Sequence, residues 1–309
     1  MRKLRLNKLF TFLLISAIIL SSCEDVVDVE INTEDIDLIS VEAYINTKPT
    51  NNIYVKLEKT LPVNKTQQNP SINNAIVEIS DDAPNSNTVV LEEINNSGVY
   101  VKPSGSDFRV IHGSTYKLTI TTPDGVVITG EEYLQRVENL DTVKMHLSSR
   151  GNFEFMAVFI NSQETPGPGH YYKWDIYKNG GLLYNSENLT FASDELVDGN
   201  YIYDFEIFTD FTGPDEEEED KAFQIGDTVV VEQLSISKQA YDFYLGMVNQ
   251  AFAGSPFSVP PANLPTNLTA SDGKRVLGLF SARDISVGNT IVLDSSNYTP
   301  IVSSLNFLE

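Results

Sequence analysis

Side chains suited to acid–base or metal chemistry are scarce in this sequence. It has three histidines, His112, His146 and His170, and none stands in a metalloprotease pattern such as H-E-x-x-H. His170 follows a Pro-Gly-Pro-Gly run and has no partnered motif. The chain contains no G-x-S-x-G, phosphate-binding loop or dinucleotide-binding glycine pattern. The sequence therefore predicts no enzyme, no catalytic residue and no cofactor, although a site assembled from distant residues would leave no local pattern.

A run of carboxylates is the candidate metal site. Hard cations such as Ca²⁺ favour clustered oxygen ligands, and six acidic residues are contiguous here: Asp215, Glu216, Glu217, Glu218, Glu219 and Asp220. The run lacks the glycine turn and the alternating ligand spacing of an EF-hand. Blocks of like charge are usually solvated. We therefore interpret the run as a solvated loop, with a Ca²⁺ site as the alternative.

Aromatic side chains could instead stack on sugar rings. The chain has 14 Tyr and one Trp, and Trp174 lies in the aromatic stretch 171–177. Alternation along a strand places Tyr172, Trp174 and Ile176 on one face. This pattern favours Trp174 as a core residue over a ligand platform.

One threonine is a candidate for modification. The triplets at 141–143 and 227–229 both read Asp-Thr-Val and resemble a bacterial O-glycosylation pattern of exported proteins. The second triplet lies in a predicted buried strand. Thr142 is therefore the candidate O-glycosylation site.

The N-terminal residues indicate a lipoprotein export signal. Arg2, Lys3, Arg5 and Lys8 precede an apolar run at 9–20, and the small residues Ser21 and Ser22 precede Cys23. The apolar run is shorter than the roughly 20 residues that span a bilayer. We expect residues 1–22 to be a signal peptide and Cys23 to be the lipid anchor. The alternative is an ordinary cleaved signal with an incidental cysteine.

Charge and cysteine content limit the partners and the stabilising bonds. The net charge is −22, which disfavours nucleic acid and anionic lipid surfaces, so attachment to the membrane is expected through the acyl chains of Cys23 alone. Cys23 is the only cysteine, so no disulfide is expected. Residues 23–37 form an acidic segment that we interpret as a tether, with a partly ordered edge strand as the other reading.

Residues 38–135 have the pattern of an all-β domain. Turn residues separate seven short β-rich runs, at 38–45, 53–57, 75–79, 88–93, 98–102, 115–121 and 126–131. In 115–121, Tyr116, Leu118 and Ile120 alternate as in a half-buried antiparallel strand. Seven such strands in about 100 residues predict an immunoglobulin-like β-sandwich.

Residues 136–309 predict a second β-rich domain with one α-helix. The β-rich runs are 153–160, 171–178, 201–208, 228–236, 276–281 and 290–293. Apolar residues recur at helical spacing over 237–252, with Ser237 as the N-cap and Gly254 after the end. Prolines then hold an extended segment. We expect Phe257, Pro260 and Pro261 in this segment either to brace the helix or to form a lip that meets a partner or ligand.

Several spaced elements resemble a known family. They are Val41-Glu42-Ala43-Tyr44, Gly98-Val99-Tyr100, Gly226-Asp227-Thr228, Gly254-Ser255-Pro256-Phe257, Asn267 and Leu277-Gly278-Leu279-Phe280-Ser281-Ala282. Together they resemble the Bacteroidota outer-membrane lipoproteins of the domain-of-unknown-function 4249 family. The resemblance covers essentially the whole mature chain.

The resemblance implies a location and a partner. Members are typically encoded beside TonB-dependent outer-membrane transporters, which implies a surface-exposed accessory lipoprotein that captures a substrate for nutrient uptake. The acidic residues after Cys23 resemble a signal for export to the cell surface. The alternatives are a carbohydrate- or matrix-binding adhesin and an enzyme with a dispersed site.

Overall fold

Alternating apolar and polar residues define many of the strands in the computed structural model of this chain. The structure describes residues 38–50, 52–61, 67–83, 87–151, 153–183, 189–210, 222–251 and 263–298, all within one compact unit, Asp37–Glu309. In Thr115–Thr121 the side chains of Tyr116, Leu118 and Ile120 are buried, as the alternation predicts. Most elements in the described residues are strands, and one helix accompanies them there. The all-β prediction is confirmed.

The first sandwich consists of two five-stranded sheets. Its strands are β1 (Ile39–Asn46), β2 (Ile53–Lys59), β3 (Ile76–Asp81), β4 (Thr88–Val90), β5 (Glu92–Ile94), β6 (Val99–Val101), β7 (Thr115–Thr121), β8 (Val127–Tyr133), β16 (Leu268–Ala270) and β17 (Val276–Arg283). One sheet has the order β17-β1-β2-β6-β5 and the other β16-β8-β7-β3-β4. Apolar side chains of both sheets, such as Val41, Leu57, Tyr116 and Phe280, form one buried cluster. Their burial is the main stabilising contribution to this sandwich.

A returning segment of the chain completes this sandwich. β17 pairs in parallel with β1, and β16 pairs antiparallel with β8. Gly278 permits the first pairing, because its φ is +96° and a Cβ there would lie 2.0 Å from the carbonyl oxygen of Val41. The Asn267 side chain donates to the carbonyl of Phe280 at 2.7 Å and accepts from its amide at 3.0 Å. Gly278 and Asn267 therefore hold the returning segment in place.

The second sandwich packs a three-stranded sheet against a larger one. Its strands are β9 (Leu140–Arg150), β10 (Phe153–Gln163), β11 (Tyr171–Lys178), β12 (Gly181–Leu182), β13 (Thr190–Ser193), β14 (Tyr201–Thr209), β15 (Thr228–Ile236), β18 (Ile285–Val287) and β19 (Ile291–Val292). The smaller sheet has the order β14-β10-β9. The larger has the order β12-β11-β15-β18, with β13 also paired to β11 and β19 to β15. Trp174 is buried in the core between the sheets, which confirms its predicted role.

The helix α1 (Lys238–Ala251) follows β15 directly. The hydroxyl of Ser237 accepts from the amide of Ala240 at 3.1 Å, which confirms the predicted N-cap. Ala240 and Tyr244 are buried in a small cluster with Ile236 and Leu279. The helix is therefore anchored at the junction of the two sandwiches. Within the described ranges, no helix is long and apolar enough to cross a membrane.

The structure contains strands that the sequence did not predict, among them the short strands β12, β13, β16 and β18. β9 has 11 residues and also has no predicted counterpart, although Val143, Met145 and Leu147 alternate there with Lys144, His146 and Ser148. The predicted run 88–93 is two strands, β4 and β5, which pair in different sheets on either side of Leu91. The division between residues 38–135 and 136–309 stays a prediction, and β16 and β17 carry the chain back across it.

Candidate ligand cleft between the sandwiches

A cleft of about 780 Å³ opens where the outer face of the first sandwich meets the second. β1 and β17 form one wall, β11 and β15 form the other, and α1 closes one end with Phe243, Tyr244 and Met247. Small-molecule sites usually have volumes of roughly 300–1,000 Å³ and often lie at domain interfaces. The size and position of this cleft are those of a ligand site.

Strand alternation places the polar residues of the cleft. On β1, Val41 and Ala43 point into the first core, so Glu42 and Tyr44 project from the opposite face. On β11, Trp174 and Ile176 point into the second core. Because successive side chains of a strand point to opposite faces, Lys173, Asp175 and Tyr177 face the cleft. Each wall is thus the outer face of a sheet whose inner face packs in a hydrophobic core, and this packing holds the wall rigidly.

Opposite charges are paired along the β11–β15 wall. Lys173 is 5% exposed and is ion-paired with Asp175, which is also buried. The ammonium group of Lys48 lies 2.6 Å from a carboxylate oxygen of Glu232 and 5.5 Å from the centre of the Tyr177 ring. Pairing is what makes burial of these charges tolerable. The wall therefore presents both signs of charge in fixed positions.

An arginine on the facing wall organises the aromatic rings. Arg283 donates to the hydroxyl of Tyr244 at 3.0 Å and to that of Ser281 at 3.1 Å. Its guanidinium lies 5.0 Å from the centre of the Tyr44 ring, and Tyr44 stacks on Tyr54 at 5.2 Å. Cation–π contacts of this kind strengthen when water is excluded. The facing wall therefore carries aromatic rings and both signs of charge, Arg283 and Glu42.

Burial shifts the titration of groups in the cleft. It lowers the pKa of Lys173, an effect that the neighbouring Asp175 opposes. Burial also raises the pKa of Tyr177 and of Tyr244. Both phenols therefore stay protonated at neutral pH and offer hydroxyl groups. This combination of fixed charges, hydroxyl groups and rings suits recognition of a polar ligand.

Asp284 fixes the two walls relative to each other. Its carboxylate accepts from the hydroxyl of Thr47 at 2.7 Å and from the amide of Val137 at 2.9 Å. Its own amide donates to the hydroxyl of Ser235 on β15 at 2.9 Å. Asp284 is buried and directly follows β17. These bonds join both sandwiches at one point, so the cleft is preformed.

Most of the predicted site residues lie outside the part of the chain that the structure describes. These are Cys23, Phe257, Pro260, Pro261, and the acidic run Asp215, Glu216, Glu217, Glu218, Glu219 and Asp220. Thr142 is half-buried within β9, opposite Asn161 of β10, and its glycosylation stays a prediction.

The histidines occupy different environments. His112 is exposed, whereas His146 is buried and stacks on Phe159 with ring centres 4.0 Å apart. His170 lies next to Glu164 and Asp194, just before β11. No pattern in the sequence connected Glu164, His170 and Asp194.

The cleft residues were not predicted as a site. The alternation that identified Trp174 as core also placed Lys173, Asp175 and Tyr177 on the other face of the same strand. Charged residues on a strand face usually meet solvent. Their burial depends on the returning β17 and on α1, which are distant in sequence. The sequence did contain one signal for this burial. The run at 229–231 in β15 is continuously apolar, which indicates a strand that is covered on both faces.

The fold and the cleft define an all-β protein with two sandwiches and one helix. The chain belongs to the family described as Domain of unknown function (DUF4249), whose sequence pattern matches residues 24–287. A comparison with curated proteins found no match. The matched range contains all the spaced motifs from Val41 to Ala282, so the family resemblance drawn from them is confirmed. The range also contains both walls of the cleft.

Proposed function

We propose that this protein is a non-enzymatic lipoprotein on the outer face of the outer membrane, where it captures a small polar ligand and assists a TonB-dependent transporter in nutrient uptake. The observation that carries the proposal is the preformed cleft of about 780 Å³ with charged and aromatic walls. The signal at residues 1–22, Cys23 and the acidic tether support the location.

The cleft favours a ligand that carries both signs of charge. Lys48, whose side chain is 32% exposed, and Arg283 are cations of the cleft, and Glu42 and Glu232 are carboxylates that also line it. A short peptide matches this arrangement, because its carboxylate group pairs with Lys48 and its ammonium group pairs with a carboxylate of the cleft, while its side chains contact the tyrosines. We therefore propose short peptides as the ligand class.

Two lysines of similar exposure provide a matched test of ligand capture. Lys48 pairs with Glu232 in the cleft at 2.6 Å, whereas Lys56 pairs with Glu58 outside it at 2.7 Å. The full chain in detergent is dialysed against a mixture of di- and tripeptides, and the retained peptides are measured by mass spectrometry. We expect Lys48→Ala to lower retention about tenfold, the effect of losing one charged contact, and Lys56→Ala to leave it unchanged. Equal retention by both variants, or none by the native chain, would refute peptide capture in the cleft.

Membrane attachment and the transporter partner need separate experiments. Membrane fractionation should find the native chain in outer membranes and Cys23→Ala released from them, since attachment is proposed to depend on the acyl chains. The native chain, purified from detergent-solubilised outer membranes, should carry a TonB-dependent transporter. Phe257→Ala should lose that transporter if residues 257–261 form the partner surface. A variant Cys23→Ala that still sediments, or a preparation without a transporter, would count against the proposal.

An exposed aromatic pair favours the second candidate, a carbohydrate- or matrix-binding adhesin. Tyr203 on the edge strand β14 is 75% exposed, and its ring centre lies 4.5 Å from that of Tyr201. Exposed rings stack on sugar faces. Glycan-array binding that is lost in Tyr203→Ala would support this function. The matched control is Tyr133→Ala, which removes another exposed tyrosine.

A further inference from the structure

Three potential metal ligands meet at the start of β11, outside the cleft. Nδ1 of His170 lies 3.4 Å from Oδ2 of Asp194 and 3.6 Å from Oε1 of Glu164. One ligand atom from each residue lies within 4.8 Å of the other two. Glu164 follows β10, His170 precedes β11 and Asp194 follows β13, so the fold brings three separate segments together.

The charge of this cluster is not balanced by the side chains around it. The side chains of Glu164 and Asp194 are 0% and 3% exposed. Among the described residues, His170 is the only basic side chain within ion-pairing distance of either carboxylate. Two carboxylates buried without compensation are costly. A protonated imidazole would supply one positive charge, whereas a divalent cation would supply two.

The imidazole is presented as a ligand would be. Its Nδ1 is buried and has no hydrogen-bond partner within the described ranges, although buried polar atoms are normally paired. The side chain as a whole is 13% exposed, which leaves a path from solvent. A bound cation would pair this buried nitrogen with the two carboxylates that it faces.

Neighbouring groups already orient both carboxylates. The hydroxyl of Tyr172 donates to Oε1 of Glu164 at 2.8 Å, and the amide of Gly199 donates to Oε2. The amides of Gly169 and His170 donate to Oδ2 of Asp194 at 2.8 and 2.9 Å. Hydrogen bonds of this kind around metal ligands fix their geometry. Gly169 allows the arrangement, since its φ of +102° turns the loop toward Asp194.

We propose that Glu164, His170 and Asp194 bind a divalent transition-metal cation of the Zn²⁺ type. Ligand atoms in tetrahedral Zn²⁺ sites lie about 3.4 Å apart, given metal–ligand bonds of about 2.0–2.2 Å. The distance of 3.6 Å from Nδ1 to Oε1 of Glu164 agrees with this spacing, and because Oδ2 of Asp194 already accepts two amide hydrogen bonds, Asp194 would bind the metal through its other carboxylate oxygen. Ca²⁺ and Mg²⁺ favour sites made only of oxygen, whereas an imidazole with carboxylates suits Zn²⁺ and its neighbours. Three protein ligands leave the fourth position for water or an added ligand.

Calorimetric titration of Zn²⁺ into the chelator-treated full chain tests the site. A background of Ca²⁺ saturates any weak all-oxygen sites, including the acidic run at 215–220. We expect one Zn²⁺ per chain, and a loss of affinity of at least about 100-fold in His170→Ala, given that removing even a supporting residue costs 10–100-fold. The matched control is His112→Ala, which removes an exposed histidine and should bind as the native chain does.

A second variant and a second readout guard against misfolding. Glu164→Gln keeps the side-chain size and should also weaken Zn²⁺ binding. Circular dichroism should show that each variant is folded. Co²⁺ in place of Zn²⁺ should give the visible absorption of a tetrahedral site in the native chain and in His112→Ala only. Absence of Zn²⁺ binding by the native chain, or equal affinity in folded His170→Ala, would overturn the proposal.

Discussion

Glu132 is expected to make the stability of this protein fall as the pH rises. It lies on β8, is 5% exposed, and accepts from the side-chain amide of Asn267 at 2.9 Å. Burial raises the pKa of Glu132 from 4.5 to about 7, although the Ser237 hydroxyl and the Asn267 amide oppose the shift. The folded state therefore binds a proton that the unfolded state releases in the range between the two pKa values.

The sign and size of the effect follow from linkage. The folded state holds more protons than the unfolded state between about pH 4.5 and pH 7, so the free energy of unfolding falls across that range and stays low above it. Each pKa unit corresponds to about 1.4 kcal/mol, which gives about 3 kcal/mol in total. About 2.5 kcal/mol of this loss lies between pH 5 and pH 8.

The substitution Glu132→Gln removes the titrating group and keeps an oxygen that can accept from Asn267. Urea denaturation of the native chain, of Glu132→Gln and of the exposed neighbour Glu131→Gln at pH 5 and pH 8 gives the comparison. We expect Glu132→Gln to be more stable than the native chain at pH 8, by up to about 3 kcal/mol, with a much smaller difference at pH 5. Glu131→Gln should follow the native chain at both values. Parallel pH dependence of the native chain and Glu132→Gln would refute the assigned pKa.

Three further predictions test the cleft and the returning strand by the same denaturation assay. Lys173→Met should lower the free energy of unfolding by about 3–5 kcal/mol, since it leaves Asp175 buried and unpaired. The double variant with Asp175→Leu should recover most of this loss. Equal stability of the single and double variants would contradict the prediction. Gly278→Ala should lower the free energy of unfolding by more than about 3 kcal/mol, because its Cβ would clash with the backbone of β1. Gly273 also has a positive φ but has open space around it, so Gly273→Ala should lower the free energy of unfolding by only about 1–2 kcal/mol. Similar losses at both glycines would be inconsistent with a steric clash. Asp284→Ala should lower the free energy of unfolding by about 3 kcal/mol, since the buried amide of Val137 and the half-buried hydroxyl of Thr47 lose their acceptor. A change below about 0.5 kcal/mol would show that these bonds do not stabilise the junction.

Local patterns in the sequence predicted many of the individual elements. The strands at 115–121, 171–178 and 228–236 agree with the structure at both ends, and Ser237 caps the helix as expected. These elements depend on alternation, helical spacing and side-chain capping, which neighbouring residues determine. β9 was not predicted, although Val143, Met145 and Leu147 alternate with polar residues; this alternation covers only part of the strand, and pairing with β10 continues it over Leu140–Arg150.

The candidate sites required the tertiary structure. Lys173 and Asp175 belong to a strand that the sequence located correctly, yet only the return of β17 to β1 turns its outer face into a cleft wall. Glu164, His170 and Asp194 lie on three segments, so no local spacing connects them. By itself the sequence determined the all-β class, the helix and the family, because hydrophobic periodicity and spaced motifs are properties of contiguous residues. The tertiary structure alone decided which polar faces are enclosed, because enclosure depends on long-range strand pairing that each strand's own pattern does not specify.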